Sequence, residues 1–156
     1  MESMKIMHLK IQQKNKPQEI KIVEAVERFI ISKWKVKSRR EIPFCERSLD
    51  LFLKKKNGKF VSVEAKVDAP SKAFKQASRY KYISDYIYVA ILENKSNILS
   101  NTLAKETGIG LILVKRDSLD RYYARIVKES KKFTVINRCT AEDIYSNCFL
   151  ERSMNE

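Results

Sequence analysis

The sequence predicts a mixed α/β domain, and three observations carry that prediction. The 156 residues are the length of one ordinary domain, and 44% of them are hydrophobic, enough for a core without metal or disulfide staples. Only 3 Gly and 3 Pro occur, so most of the chain belongs to regular elements with few tight turns. Helical and two-residue hydrophobic periods alternate along the chain, in the order α-β-β-α-β-α-β-(β)-α.

Residues 1–16 are basic and weakly patterned. They read as an arm or a short edge strand ahead of a single domain at 17–150 and a tail at 151–156. Pro17 stands where a helix begins, because proline suits the first helical turn, and helical periodicity runs over 18–36. Residues 46–53 and 60–67 alternate with period two around Asn57-Gly58 and read as a hairpin. Pro70 opens a second helix to about Ile83. Asp85 to Leu92 is an apolar run bounded by polar residues, as in a buried strand. Asn97 to Thr107 is a third helix, stopped by Gly108. Gly110 to Lys115 is a short strand, and Tyr122 to Val127 is a further candidate strand. Thr140, with Glu142 and Asp143 in the first turn, opens a last helix to about Leu150.

The register of the hairpin follows from which faces must match. Leu49, Leu51 and Leu53 share one face of the first strand, and Val61, Val63, Ala65 and Val67 share one face of the second. A two-residue Asn57-Gly58 loop sets Leu51 opposite Glu64 and mixes those faces. A three-residue loop, Lys56-Asn57-Gly58, sets Leu51 opposite Val63 and Leu53 opposite Val61, with Gly58 in the left-handed position such a loop requires. The longer loop is therefore predicted. It sets Asp50 opposite Glu64 on the non-core side, with Lys66 two residues along.

Like charges directly opposite each other destabilise a strand pair, and a cation between them removes the penalty. Mg²⁺ takes a few hard oxygen ligands and keeps several waters, so Asp50, Glu64 and a backbone carbonyl such as that of Ala65 suit it. Lys66 could then orient or help deprotonate a water, or stabilise negative charge developing on a phosphate. An exposed strand face with ordinary charges is the plain alternative. On a helical wheel with Val23 at 0°, Glu27 falls at about 40°, inside the apolar stripe. A carboxylate there needs a salt bridge or a metal. On the second helix Gln76 borders the stripe made by Ala73, Ala77, Tyr80 and Phe74, and Lys72, Lys75 and Arg79 lie beyond it.

Lys+Arg 32 against Asp+Glu 19 gives a net charge of +13, an excess expected of a protein that meets a polyanion. Nucleic acid comes before a membrane surface as that partner, with a plain protein of a Lys-rich proteome as the third reading. Lys33, Lys35, Lys37, Arg39 and Arg40 form a basic exit from the first helix, and with Lys72, Lys75 and Arg79 they are the candidate phosphate contacts. The longest clean apolar run, Tyr86 to Leu92, is far short of the roughly 20 residues a membrane span needs. The N-terminus has no apolar signal region, so an intracellular, cytoplasmic location is expected, with no membrane partner. Cys45, Cys139 and Cys148 are odd in number and widely spaced and His8 is the single histidine, which argues against zinc and disulfides. The cysteines read as buried or inert and His8 as a surface residue. Gly108-x-Gly110 reads as turn chemistry. Tyr122 and Tyr123 have rings that could stack on bases, and core or interface packing is the plain alternative.

Taken in order, Glu27, "RSLD" ending in Asp50, "VSVEAK" with Glu64-Ala65-Lys66, "AFKQASRY" with Gln76 and Tyr80, "DYIYVAI" and "GIGLILV" resemble the PD-(D/E)xK, restriction-endonuclease-like superfamily over roughly residues 20–115. Leu49 stands where the motif's name has proline. The resemblance implies a restriction-endonuclease-like core, α-β-β-α-β-α-β, with a central mixed sheet flanked by helices. It also implies DNA endonuclease activity dependent on Mg²⁺ or Mn²⁺. Asp50 and Glu64 would be metal ligands, Lys66 would assist the water or the phosphate, Glu27 would be an accessory carboxylate, and Gln76 would position the site or touch the nucleic-acid backbone. Small size and basic charge suit a junction- or repair-type, structure-directed nuclease. Two alternatives stay open: a catalytically silent nucleic-acid-binding protein of the same fold, and a protein–protein adaptor of a mobile element. A homodimer is also left open.

Overall fold

Residues 2–44, 47–94 and 97–154 are described by the computed structural model, and side chains are described from residue 17 to 44, 48 to 94 and 97 to 146. The side chains of His8, Cys45 and Cys148 lie outside the described residues. Cys139 is exposed rather than buried.

The first helix, α1, spans Glu2–Trp34 and carries Pro17 in its interior. The strand or arm expected at 1–16 is thus helical. Proline's fixed φ is itself helical, so it costs only its own missing hydrogen bond and the clash with the carbonyl four residues back. Packing beyond it holds the helix down, because Ile22, Val26 and Ile30 are fully buried. The helix stops at Trp34, and Lys35 turns the chain with φ 55°.

A strand that periodicity did not predict follows, β1 at Ser38–Phe44. It hides in the sequence because it is an edge strand, and Arg39, Arg40 and Pro43 are what edges carry to avoid further pairing. The predicted hairpin forms from β2 (Arg47–Lys54) and β3 (Phe60–Lys66), with Leu51 opposite Val63 and Leu53 opposite Val61. Gly58 has φ 83°, the left-handed conformation the three-residue loop requires.

Helix α2 (Pro70–Ala77) tightens into a 3₁₀ turn at Ser78–Tyr82 instead of running to Ile83 as one helix. Then come β4 (Tyr86–Leu92), α3 (Ile98–Thr107), β5 (Gly110–Arg116), β6 (Tyr122–Lys128) and α4 (Arg138–Met154). Gly108, with φ 77°, ends α3 as predicted.

The six strands make one mixed sheet in sequence order. β1, β2 and β3 are antiparallel, β3, β4 and β5 parallel, and β6 returns antiparallel. Helix α1 covers one face, over Leu51, Leu53, Val61, Val63, Ala90 and Ile112. Helices α2, α3 and α4 cover the other, over Phe52, Phe60, Ile87, Ile91 and Leu111. The face that bears Glu64 is therefore a second core, not the exposed side that alternation in β2 suggested.

Leu49 departs from prediction too. It packs with Ile42 and Phe52 on the α2 side, while Leu51 packs on the α1 side. The cause lies in the neighbouring strand. Glu41 has φ 52°, and the β1–β2 ladder skips from Arg40↔Leu51 to Ile42↔Leu49. Both strands roll over at the Glu41–Asp50 step, so Asp50 sits at a break in the alternation. No helix among the described residues is long and apolar enough to cross a membrane.

Candidate functional site

Beyond Leu51↔Val63 the ladder between β2 and β3 ends, and the last residues of β3 run on without β2 as a partner. The backbone N–H of Ala65 would be left over, and the Asp50 carboxylate takes it, with Oδ2 accepting at 2.8 Å. In an extended strand the N–H and C=O of one residue point to the same edge. The Ala65 carbonyl therefore faces the side from which Asp50 approaches. Glu64 projects from the same strand toward α2 and is 5% exposed. The Tyr80 hydroxyl, delivered by the 3₁₀ turn, donates a short hydrogen bond to Glu64 Oε2. Lys66 closes the strand, with Nζ 3.5 Å from Glu19 Oε1 of α1.

These groups line one open cleft of about 350 Å³, together with Ser48 and Gln76. It lies outside the carboxyl end of β3, at the end of the strands where α/β sheets bind ligands. Burial pushes the Glu64 carboxyl up to about 8, and the Asp50 charge beside it adds to the effect. Burial likewise raises Asp50, to about 6, against the Ala65 N–H, which favours its charged form. A buried Glu64 carboxyl, a half-buried Asp50 carboxyl that repels it and a backbone carbonyl are hard oxygen donors of the kind a divalent cation takes. Among the described residues no group of three His, Cys, Asp or Glu side chains gathers to hold a metal, so such an ion would keep waters, as Mg²⁺ does.

The raised values set a pH dependence. A carboxyl whose pKa is higher folded than unfolded stabilises the fold while protonated, and that stability is lost as pH rises through the folded value. In a chelating buffer the unfolding free energy is expected to fall as pH rises through about 6 and then 8, by a few kcal/mol in all. Glu64→Gln should abolish the upper part of that decline. Urea melts at each pH check this, and a flat profile in the wild type would contradict it.

Glu27 is not in the cleft. Its carboxylate accepts hydrogen bonds from Ser38 Oγ at 2.7 Å and from Arg40 at 2.6 Å, and it lines a separate groove with Lys37 and Arg39. The α1 carboxylate that reaches the site is Glu19. The signal for it was present, since on the same wheel Glu19 falls at about 320°, inside the apolar stripe.

The basic residues divide. Lys72, Lys75 and Arg79 are exposed on α2 and the 3₁₀ turn, the segment that brings Gln76 and Tyr80 to the cleft, but none of the three is among the residues that line it. Lys33 and Lys35 are at the far end of α1, where Lys55 of the hairpin loop lies 4.7 Å from the centre of the Trp34 ring. Lys33 faces Glu129 at 3.7 Å, and Arg40 is held by Glu27 and, at 4.0 Å, by Glu24.

No protein-family model matches the sequence, and no curated protein matches it either. Among solved structures, a protein of unknown function from Silicibacter pomeroyi shares the fold, with a TM-score of 0.63 at 16% identity over 84% of this chain and 83% of that one. More distantly similar are a repair endonuclease from Pyrococcus abyssi (TM-score 0.42, 17% identity, 56% of this chain and 44% of that one) and SfsA from Pyrococcus furiosus in complex with Ca²⁺ (TM-score 0.41, 15% identity, 78% and 64%).

Proposed function

We propose that the chain is a metal-dependent phosphodiesterase acting on nucleic acid, with DNA as the substrate to test first. The observation that supports this reading is the single cleft in which Asp50, Glu64, Lys66 and Gln76 meet. Asp50, Glu64 and the Ala65 carbonyl would hold Mg²⁺ or Mn²⁺, which when bound supplies Lewis-acid stabilisation of phosphate charge and a more acidic water. Asp50 is oriented for this by the Ala65 N–H, and Glu64 by Tyr80. Lys66 brings a positive charge to the cleft, where negative charge on a phosphate develops during attack, and its pairing with Glu19 keeps the ammonium at the strand end. Gln76 offers an amide to the nucleic-acid backbone. Lys72, Lys75 and Arg79 beside it give the phosphates a basic border.

The deciding experiment incubates the full chain with duplex, single-stranded and branched DNA, with Mg²⁺, with Mn²⁺ and with chelator. Metal-dependent cleavage of any of them supports the reading. Binding without cleavage of any DNA or RNA form overturns it in favour of a silent binder. The salt dependence of binding is a second measurement. With Lys72, Lys75 and Arg79 engaged, the slope of log K against log salt is expected near −3, at about 0.9 per phosphate. A slope near zero would point instead to a protein partner.

A further inference from the structure

The outer side of α2 and of the 3₁₀ turn carries a row of side chains that the cleft does not use. At about 100° per residue through α2 and 120° through the turn, Lys72, Lys75, Arg79 and Tyr82 fall within about 80° of one another. Residues three apart in a 3₁₀ turn eclipse, so Arg79 and Tyr82 stand one above the other. The three cations are exposed, and so is 38% of Tyr82. Among the described residues no carboxylate pairs with Lys72, Lys75 or Arg79, whereas Arg40, Arg116, Arg121, Arg125 and Arg138 each face one.

The same segment turns its other flank to the cleft, where Gln76 and Tyr80 line it. From Tyr80 a chain of rings runs outward. Tyr80, 5% exposed, has its ring centre 6.3 Å from that of Phe44 at the end of β1. Phe44 in turn lies 6.2 Å from Tyr82, with the two planes 32° apart. Phe44 therefore backs one side of the Tyr82 ring, and Asn137 Nδ2 donates to its hydroxyl at 3.3 Å. The ring is held from two directions and still open to solvent, so a ligand meets it with little left to order. From Lys72 to Tyr82 the segment rises about 17 Å, the length of some five stacked nucleotides at about 3.4 Å each.

We propose that this row binds a nucleic-acid strand passing the cleft, its phosphates against Lys72, Lys75 and Arg79 and one unpaired base on the exposed part of the Tyr82 ring. The cations alone accept any phosphate backbone, paired or not. The aromatic at the end of the row adds a flat apolar surface that only an unstacked base can use. The choice of occupant rests on the nucleic-acid reading of the cleft. It narrows the substrate class to strands with unpaired bases next to the bond to be cut: single strands, overhangs and branches.

The test measures binding of the full chain in chelator, at fixed salt, by fluorescence anisotropy on a single strand, an overhang and a blunt duplex. Tyr82→Leu keeps an apolar cover over Phe44 but removes the ring. It should weaken the first two probes about tenfold and leave the duplex unchanged, while Tyr82→Phe should bind all three like wild type. Arg79→Ala should weaken all three alike and lower the salt slope by about 1. Single-strand binding by Tyr82→Leu equal to wild type overturns the proposal, as does an equal loss on all three probes. So does competition by a polyglutamate peptide as effective as by the single strand. Wild-type protein cross-linked by light to a single strand carrying 5-iodouracil gives a readout independent of any variant's folding. A cross-link mapped to Tyr82 is expected, and cross-links confined to other residues overturn the proposal. Cleavage with Mg²⁺ is scored separately. A wild type that never cuts, with the selective Tyr82→Leu loss intact, removes the hydrolase reading and leaves the row standing. A wild type that cuts, with single-strand binding unchanged in Tyr82→Leu, removes the row alone.

Discussion

Asp50→Asn should lower DNA cleavage by about a thousandfold while leaving DNA binding intact or slightly tighter. A divalent ion contributes several kcal/mol of charge stabilisation, and about 1.4 kcal/mol is tenfold in rate. Removing a formal charge from a two-carboxylate site therefore removes most of its hold on the ion. The substitution is conservative for the fold, since asparagine keeps an oxygen that can accept the Ala65 N–H now bound by Oδ2. It also takes away the charge that helps to raise the Glu64 pKa. On the proposed reading binding would rest on exposed cations such as Lys72, Lys75 and Arg79, and losing one negative charge near the phosphates would reduce repulsion. Calorimetry with Mn²⁺ and a turnover assay check this together. Unchanged turnover in the variant would place the chemistry elsewhere.

Lys66→Ala should lose turnover by a comparable factor for a different reason, with Mn²⁺ uptake kept or strengthened. The cation competes electrostatically with a metal for the same carboxylates, so its removal favours the ion. What disappears is the positive charge at the reacting phosphate or water. The two variants thus agree in turnover and separate in metal titration. If Lys66→Ala instead loses Mn²⁺ binding as Asp50→Asn does, its effect is on the structure of the cleft, because Glu19 has lost its partner.

The parts of this molecule that were legible in the sequence are those governed by local rules. The register of the β2–β3 hairpin followed from Gly58 and from matching Leu51 and Leu53 to Val63 and Val61. The stop of α3 followed from Gly108. That register set Asp50 opposite Glu64 on an exposed face with Lys66 beside them; the β2–β3 ladder ends at Leu51↔Val63, before such a pair, yet the cleft brings the three together with Gln76. What remained illegible depends on tertiary packing. β1 carries charges and a proline because it is an edge, and so has no hydrophobic period to read. The extension of α1 through Pro17 contradicts a strong local preference. Leu49 changes face because Glu41, on another strand, has a left-handed backbone. Glu27 and Glu19 both lie within the apolar stripe of α1, and only the packing of the helix on the sheet separates the one at the cleft, Glu19, from the one held by Ser38 and Arg40.

The bond between Asp50 and the Ala65 amide has a consequence for how this protein can change over time. A side chain that would serve chemistry also stands in for a missing rung of the sheet, at the step where β1 and β2 roll over. Mutational drift at position 50 therefore meets two selections at once, and a substitution that relieves the crowding of buried carboxyls loosens the strand end that aims them. Lineages that abandon the chemistry would be expected to retain Asp or Asn there for architecture alone. An acidic residue at this position in a distant relative is then weak testimony to activity, and Lys66, which holds up no strand, is the more informative residue to compare.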